Sequence, residues 1–115
     1  MPTSAPHRRA QLRATGQRGS IEVELPSGRR LDALSATASR ATEVETSGRM
    51  DRMLLAVERL VESGAPDPVL RVPHRHMGLA EEAFERAGVE GRVQNMHNSS
   101  GFKVGAWRGW KRRRR

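Results

Sequence analysis

Residues 20–46 contain three short segments separated by turn-forming residues, and this spacing constrains the fold more than any other feature of the sequence. The first segment, 20–25, alternates apolar residues with glutamates, the pattern of a strand buried on one face. A Pro-Ser-Gly turn signal follows, and further strands are predicted over 31–36 and 41–46. Strands joined by such short connections pair antiparallel, so the segment predicts a three-strand meander.

After residue 48 the apolar spacing changes to that of helices alternating with strands. The predicted elements are a helix at 49–63, a strand at 67–72, a helix at 78–87 and a strand at 89–96. A strand–helix–strand unit favours a parallel pair, while a short basic helix over 7–15 precedes the meander. The chain is therefore predicted to form a mixed α/β sheet with helices packed on it.

The composition fits one small domain with a polyanionic partner. The chain has 115 residues and no cysteine, which excludes disulfides and thiolate zinc sites and fits a reducing cytoplasm. Lys and Arg number 21 against 13 Asp and Glu, a net charge of +8, so nucleic acid is the expected partner. No stretch approaches a membrane span. We expect a flexible N-terminus over 1–6, a domain over 7–98 and a basic tail over 99–115.

Three carboxylates are concentrated on the predicted second and third strands. Asp32 lies on the second strand, and Glu43 and Glu45, separated by one residue, lie on the same side of the third. A turn centred on residues 37–38 would set Asp32 opposite Glu43. Facing like charges destabilise a sheet, so a divalent cation bound between them is the simplest explanation of the pattern.

This arrangement resembles the PD-(D/E)XK nuclease superfamily. The common core of that superfamily is a helix, a three-strand meander, a helix and further strand–helix elements. Its active site is an Asp on the second strand and a (D/E)-x-K pair on the third. Asp32 matches the Asp, and Glu43-Val44-Glu45 matches the pair with Glu in place of Lys, a form that some restriction enzymes of the superfamily carry. The resemblance covers residues 7–96 and implies a restriction-endonuclease-like fold.

The resemblance also implies a metal-dependent endonuclease that hydrolyses DNA phosphodiester bonds. The expected ligands of Mg²⁺ or Mn²⁺ are Asp32, Glu43 and the carbonyl of Val44. Glu45 is the expected general base, or a ligand of a second ion. So short a chain resembles Holliday-junction-resolvase-type or phage and mobile-element endonucleases, which usually act as homodimers.

Other residues were considered for the site. The first helix lacks the acidic residue that often joins the site in the superfamily, and Glu22 or Glu24 is a candidate to replace it. His74 and His76 have no third ligand nearby, so we interpret them as polar loop residues near phosphate rather than metal ligands. His97 is accompanied by no nucleophile motif, so no serine-hydrolase function is predicted.

Phosphate contacts are predicted in two places. Around the acidic hairpin they are Arg29, Arg30 and Arg40. In the tail, aromatic residues alternate with cations, so that bases can stack while phosphates are neutralised. The tail residues are Lys103, Trp107, Arg108, Trp110, Lys111, Arg112, Arg113, Arg114 and Arg115.

Two other functions fit the same sequence. One is a noncatalytic basic nucleic-acid-binding protein, and the other is a toxin-like RNase. Metal-dependent cleavage separates the endonuclease from the binding protein. A preference for RNA over DNA would favour the RNase.

Overall fold

The computed structural model describes residues 5–15 and 19–105, in which a six-strand mixed sheet is covered by three α-helices. The predicted α/β class with a mixed sheet is therefore confirmed. The elements in chain order are α1 (Ala5–Thr15), β1 (Ser20–Glu24), β2 (Arg30–Leu34), β3 (Arg40–Val44), α2 (Met50–Ser63), β4 (Asp67–Val72), a 3₁₀ turn (His74–His76), α3 (Met77–Ala87), β5 (Gly91–Asn95) and β6 (Gly101–Val104).

The strands lie in the sheet in the order in which they occur in the chain, from β1 to β6. The first three strands pair antiparallel, β3, β4 and β5 are mutually parallel, and β6 returns antiparallel to β5. The predicted meander and the predicted parallel strand–helix–strand unit are both confirmed. Because β3, β4 and β5 run in one direction, their carboxyl ends lie at the same edge of the sheet.

The helix α2 follows from the apolar stripe in its sequence. Met53, Ala56, Val57 and Leu60 recur at helical spacing and are all buried. The helix ends at Gly64, whose φ of 71° is the left-handed conformation that glycine adopts without steric penalty. Together with α3 and the inner residues of the strands, this stripe forms the main apolar core.

The helix α1 packs on β1, β2 and β3, and its surface is less apolar than the stripe of α2. Its described side chains contribute one buried apolar residue, Ala10, and one buried polar residue, Gln11. Beneath it lies the buried Arg71, whose Nη2 donates a hydrogen bond of 2.8 Å to Gln94 Oε1. Among the side chains described on α1, residues 6–11, the contacts with the sheet are therefore largely polar.

The sheet opens around Asp32. The β2–β3 pairing comprises Ala33 with Thr42 and Leu34 with Ala41, and the same register extended by one pair sets Asp32 opposite Glu43. On its other side, the β1–β2 pairing omits Glu22 and Asp32, and Glu22 has a φ of 55°. A non-glycine residue in this left-handed region is uncommon and strained. Asp32 thus lies where the regular pairing is interrupted on both sides.

Most strand bounds differ from the predicted ones by one or two residues, and two elements extend past the expected domain limits. The helix α1 begins at Ala5, inside the segment expected to be flexible, and β6 extends the sheet beyond residue 98, where the basic tail was expected to begin. The turn before β6 depends on Asn95, whose Oδ1 accepts the backbone N–H of Ser99 at 2.9 Å. Its Nδ2 donates to the Ser99 hydroxyl at 2.8 Å. These contacts reverse the chain so that β6 can pair with β5.

Within residues 5–15 and 19–105, no helix is both long and apolar enough to cross a bilayer.

Candidate active site

Asp32 is the centre of a hydrogen-bond network that joins three elements. Its Oδ1 lies 3.1 Å from His7 Nε2 and accepts a hydrogen bond of 3.0 Å from Gln11 Nε2, both on α1. Its Oδ2 accepts the backbone N–H of Val44 at 2.7 Å. That N–H lies beyond the last β2–β3 pair, so the carboxylate satisfies an amide that the opening of the sheet would otherwise leave unpaired.

Glu43 makes the reciprocal contacts from β3. Its Oε2 accepts the backbone N–H of Asp32 at 2.8 Å, and its Oε1 accepts a hydrogen bond of 3.1 Å from Arg59 of α2. The side chain is only 3 % exposed. Burial and, to a lesser extent, the nearby charge of Asp32 raise the pKa of Glu43 to about 8, while the hydrogen bonds from the Asp32 backbone and from Arg59 oppose the rise. The predicted juxtaposition of Asp32 and Glu43 is therefore present.

Glu45 follows β3 and lies at the mouth of the same site. Its carboxylate accepts the backbone N–H of Ser47 at 2.9 Å and remains partly exposed. One cavity of about 350 Å³ brings the three predicted acids together with several cations. The residues lining it are His7, Arg29, Arg30, Asp32, Glu43, Val44, Glu45, Arg52 and Arg59.

The donor set is compatible with a small hard cation. Within the described residues, no group of three or more His, Cys, Asp or Glu is arranged as a metal site. Mg²⁺, however, is usually bound through one or two carboxylates, with water and substrate phosphates completing its coordination. Oδ1 of Asp32 already meets both His7 and Gln11, whereas Oδ2 of Asp32 and the two oxygens of Glu43 each meet one donor and retain a second lone pair. The two carboxylates therefore fit such an ion, although Val44 meets Asp32 through its N–H group.

Three contributors to the site were not predicted from the sequence. His7 and Gln11 are four residues apart, so they lie on one face of α1, and both reach Asp32. The pKa of His7 is raised, chiefly by its hydrogen bond with Asp32, while partial burial opposes the rise. Arg59 lies on the helix that was predicted from its apolar stripe, and its guanidinium, 3.1 Å from Glu43 Oε1, opposes the rise in the pKa of that acid.

The structure distinguishes the two glutamates considered as the additional acid. Glu22 accepts a short hydrogen bond from Gln11 Nε2, the same atom that donates to Asp32. Glu24 is exposed at the end of β1. Glu22 is therefore linked to Asp32 through one buried amide, and its left-handed backbone conformation forms part of this arrangement.

The predicted phosphate-binding residues are distributed over both ends of the sheet. Arg29 and Arg30 line the cavity, and Arg29 is also paired with Glu58 and Glu62. Arg40 begins β3 at the opposite end and pairs with Asp67 at 2.7 Å. Lys103 pairs in register with Arg92 near the start of β5, also away from the cavity. The tail residues from Trp107 to Arg115 lie outside the described residues.

Comparison of the chain with models of known protein families, with curated proteins and with solved structures found no match. The resemblance to the nuclease superfamily therefore stays a prediction.

Proposed function

We propose that the chain is a metal-dependent endonuclease that hydrolyses DNA phosphodiester bonds at the Asp32–Glu43 site. The observation that carries the proposal is the meeting of two carboxylates from neighbouring strands in a cavity lined by arginines. Such acids destabilise an isolated hairpin, but they match a phosphate-bound cation. The order α1, meander, α2, β4, α3, β5 supports a restriction-endonuclease-like arrangement, as the resemblance implies.

Asp32 and Glu43 would hold Mg²⁺ or Mn²⁺. When bound, the ion supplies Lewis-acid stabilisation of charge on the phosphate and lowers the pKa of a bound water. Arg59 holds the buried Glu43 in place through its hydrogen bond of 3.1 Å. His7 and Gln11 fix the carboxylate of Asp32.

The remaining cavity residues act on the substrate. Arg30 and Arg52 are exposed, make no ion pair within the described ranges, and bind the phosphates that flank the scissile bond. Arg29 is a further phosphate contact, although it shares its charge with two glutamates. Glu45, partly exposed in the same cavity, accepts the proton of the attacking water.

The decisive experiment measures cleavage of linear duplex, single-stranded and four-way-junction DNA with Mg²⁺, with Mn²⁺ and with EDTA. Asp32→Asn is compared with the wild type, and Asp67→Asn is the matched control because Asp67 is a partly buried, paired aspartate at the other end of the sheet. We expect metal-dependent cleavage that Asp32→Asn reduces at least about 100-fold and Asp67→Asn leaves intact. Binding should survive in both variants, because removing a carboxylate reduces repulsion with DNA.

Cleavage of the junction in preference to the linear substrates would support a resolvase-type enzyme. Such a substrate presents two strands for cutting, so we propose a homodimer, which light scattering with and without the junction would test. Binding without cleavage under every metal condition would contradict the proposal and favour the noncatalytic binding protein.

A toxin-like RNase is the second candidate, and the contact between His7 and Asp32 favours it. A histidine held at 3.1 Å from a carboxylate can act as general acid or base without a metal. This function predicts cleavage of single-stranded RNA that persists in EDTA and is lost in His7→Ala. Retention of cleavage in that variant would exclude the candidate.

A further inference from the structure

The carboxyl ends of β3, β4 and β5 are followed by three loops at one edge of the sheet. We call this surface the carboxyl edge, and it comprises residues 45–49, 73–76 and 96–100. The candidate cavity lies at its β3 end, because Glu43, Val44 and Glu45 line that cavity. The loops after β4 and β5 are therefore neighbours of the site, although the proposed function assigns them no role.

The loops after β4 and β5 carry one arginine, polar histidines and no acids. Residues 73–76 contain His74 and Arg75, residues 96–100 contain His97, and neither segment contains Asp or Glu. All three side chains are exposed. Within residues 5–15 and 19–105, the guanidinium of Arg75 makes no ion pair, so its charge is available to a partner.

The opposite edge of the sheet differs in this respect. Of the three cations described there, Arg40 and Arg92 face Asp67, at 2.7 Å and 3.6 Å, and Lys103 lies beside Arg92. The charge of the two arginines is therefore partly compensated within the chain, and Glu90 lies beside the same residues. A phosphate is therefore attracted more strongly to Arg75 than to Arg40 or Arg92.

Packing contacts hold the loops of the carboxyl edge in place. Gly48 has a φ of 72°, and a Cβ added there would lie 2.4 Å from Cε1 of His76. The loops after β3 and β4 are thus in direct contact. In the third loop, Asn95 Oδ1 accepts the backbone N–H of Ser99, which fixes the turn that carries His97. A surface ordered before binding loses little conformational entropy when a ligand binds.

We propose that a nucleic-acid strand engaged in the cavity continues across the carboxyl edge, with its phosphates contacted by Arg75 and flanked by His74 and His97. Three adjacent strands spaced about 4.8 Å apart span roughly 10 Å. This length corresponds to about three nucleotides at the 3.4 Å rise of a duplex strand. The inference takes its substrate from the proposed function. It adds that the bound strand leaves the cavity on the side of the loops after β4 and β5.

The test measures fluorescence anisotropy of a labelled 20-nucleotide DNA, single-stranded and duplex, over a series of salt concentrations in EDTA. Arg75→Ala is compared with Arg86→Ala, an exposed arginine near the other end of α3, so that both variants lose the same charge from the same side chain. We expect Arg75→Ala to weaken binding about tenfold at 0.1 M salt and to lower the slope of log K against log[salt] by about 1. Arg86→Ala should match the wild type, and Arg75→Lys should recover most of the affinity.

Equal losses in Arg75→Ala and Arg86→Ala would overturn the inference in favour of diffuse attraction by net charge. An unchanged Arg75→Ala, or a wild type that binds neither of the DNA probes nor RNA of the same sequence, would overturn it as well. Binding that depends on Arg75 without cleavage under any metal would support the inference and contradict the proposed function alone. Binding of RNA of the same sequence that also depends on Arg75 would support the proposed contact at the carboxyl edge. It would indicate that the substrate is RNA rather than DNA.

Discussion

The helices α1 and α2 both pack on β2 and β3, but they present opposite kinds of surface to them. The helix α2 buries an apolar stripe that includes Val57 and Leu60. The helix α1 directs His7 and Gln11 to the carboxylate of Asp32. An apolar stripe stabilises the fold without specifying a partner atom, whereas the polar contacts of α1 each require one particular oxygen. The comparison indicates that α2 supplies stability and α1 supplies the geometry of the site.

The largest expected effect on stability lies on α2. Leu60 is 1 % exposed, and Leu60→Ala removes buried methyl groups from the main core, so it should cost about 2–5 kcal/mol of unfolding free energy. Chemical denaturation would measure this loss. Val61→Ala is the control, because the adjacent valine is 54 % exposed and should change stability little. Similar losses in both variants would contradict the assignment of the apolar stripe.

The next effect is a pH dependence that originates at Glu43. Its pKa is about 8 in the folded chain and near 4.5 when unfolded, so between these values the folded state retains a proton that the unfolded state has released. Stability contributed by this group is present below pH 4.5 and is lost as the pH rises through 8.

Glu43→Gln should remove this pH dependence. We expect the unfolding free energy of the wild type, relative to Glu43→Gln, to fall by a few kcal/mol between pH 5 and pH 9. Denaturation at several pH values would measure the difference. Added Mg²⁺ should reduce the fall, because a cation at Asp32 and Glu43 replaces the proton. Parallel pH curves for the two proteins would show that Glu43 is not the titrating group.

A substitution on α1 is expected to lower the unfolding free energy less than Leu60→Ala does, but to lower the cleavage rate more. Gln11→Ala removes a donor shared by Asp32 and Glu22 and should cost about 1–3 kcal/mol. If α1 supplies geometry, the cleavage rate per folded molecule should fall in Gln11→Ala and stay constant in Leu60→Ala. Rates measured below the unfolding transition of both variants, alongside circular dichroism, would test this. Equal specific rates would remove the functional distinction between the two helices.

The smallest effect is expected on the exposed surface of α3. Arg86 pairs with Glu82 one turn earlier, and exposed pairs of this kind contribute about 0.3–0.5 kcal/mol. Arg86→Ala should therefore unfold within about 0.5 kcal/mol of the wild type. A larger loss would show that α3 depends on charge as well as on its apolar face.

The parts of the fold that could be predicted from the sequence are those whose determining contacts are local. The alternation in β1, the stripe of α2 and the short connection between β2 and β3 depend on neighbouring residues, and they led to the meander and to Asp32 opposite Glu43. The end of α2 at Gly64 is also determined by a local feature, the glycine itself. These features follow from periodicity and turn chemistry.

The rest depends on contacts between distant residues. His7 meets Asp32 from 25 positions away, and no local pattern indicates which face of a polar helix will pack on the sheet. Arg40 was expected beside the acids, but the parallel register of β3 with β4 pairs it with Asp67 instead. The strand β6 was missed because its turn depends on side-chain bonds from Asn95 rather than on a Gly or Pro signal.

Asp32 accepts the backbone N–H of Val44, and Glu43 accepts the backbone N–H of Asp32. The two side chains therefore replace backbone hydrogen bonds that are missing where the β2–β3 pairing is interrupted. A descendant of this chain that no longer performed any chemistry would still need a hydrogen-bond acceptor at both positions, because the two backbone N–H groups have no strand partner. Persistence of the two acids in a lineage would therefore record selection for folding as well as for activity. Glu45 bonds the nearby backbone of Ser47 and substitutes for no missing strand pair. Loss or retention of that glutamate is the sharper evolutionary indicator of whether a related chain is still an enzyme.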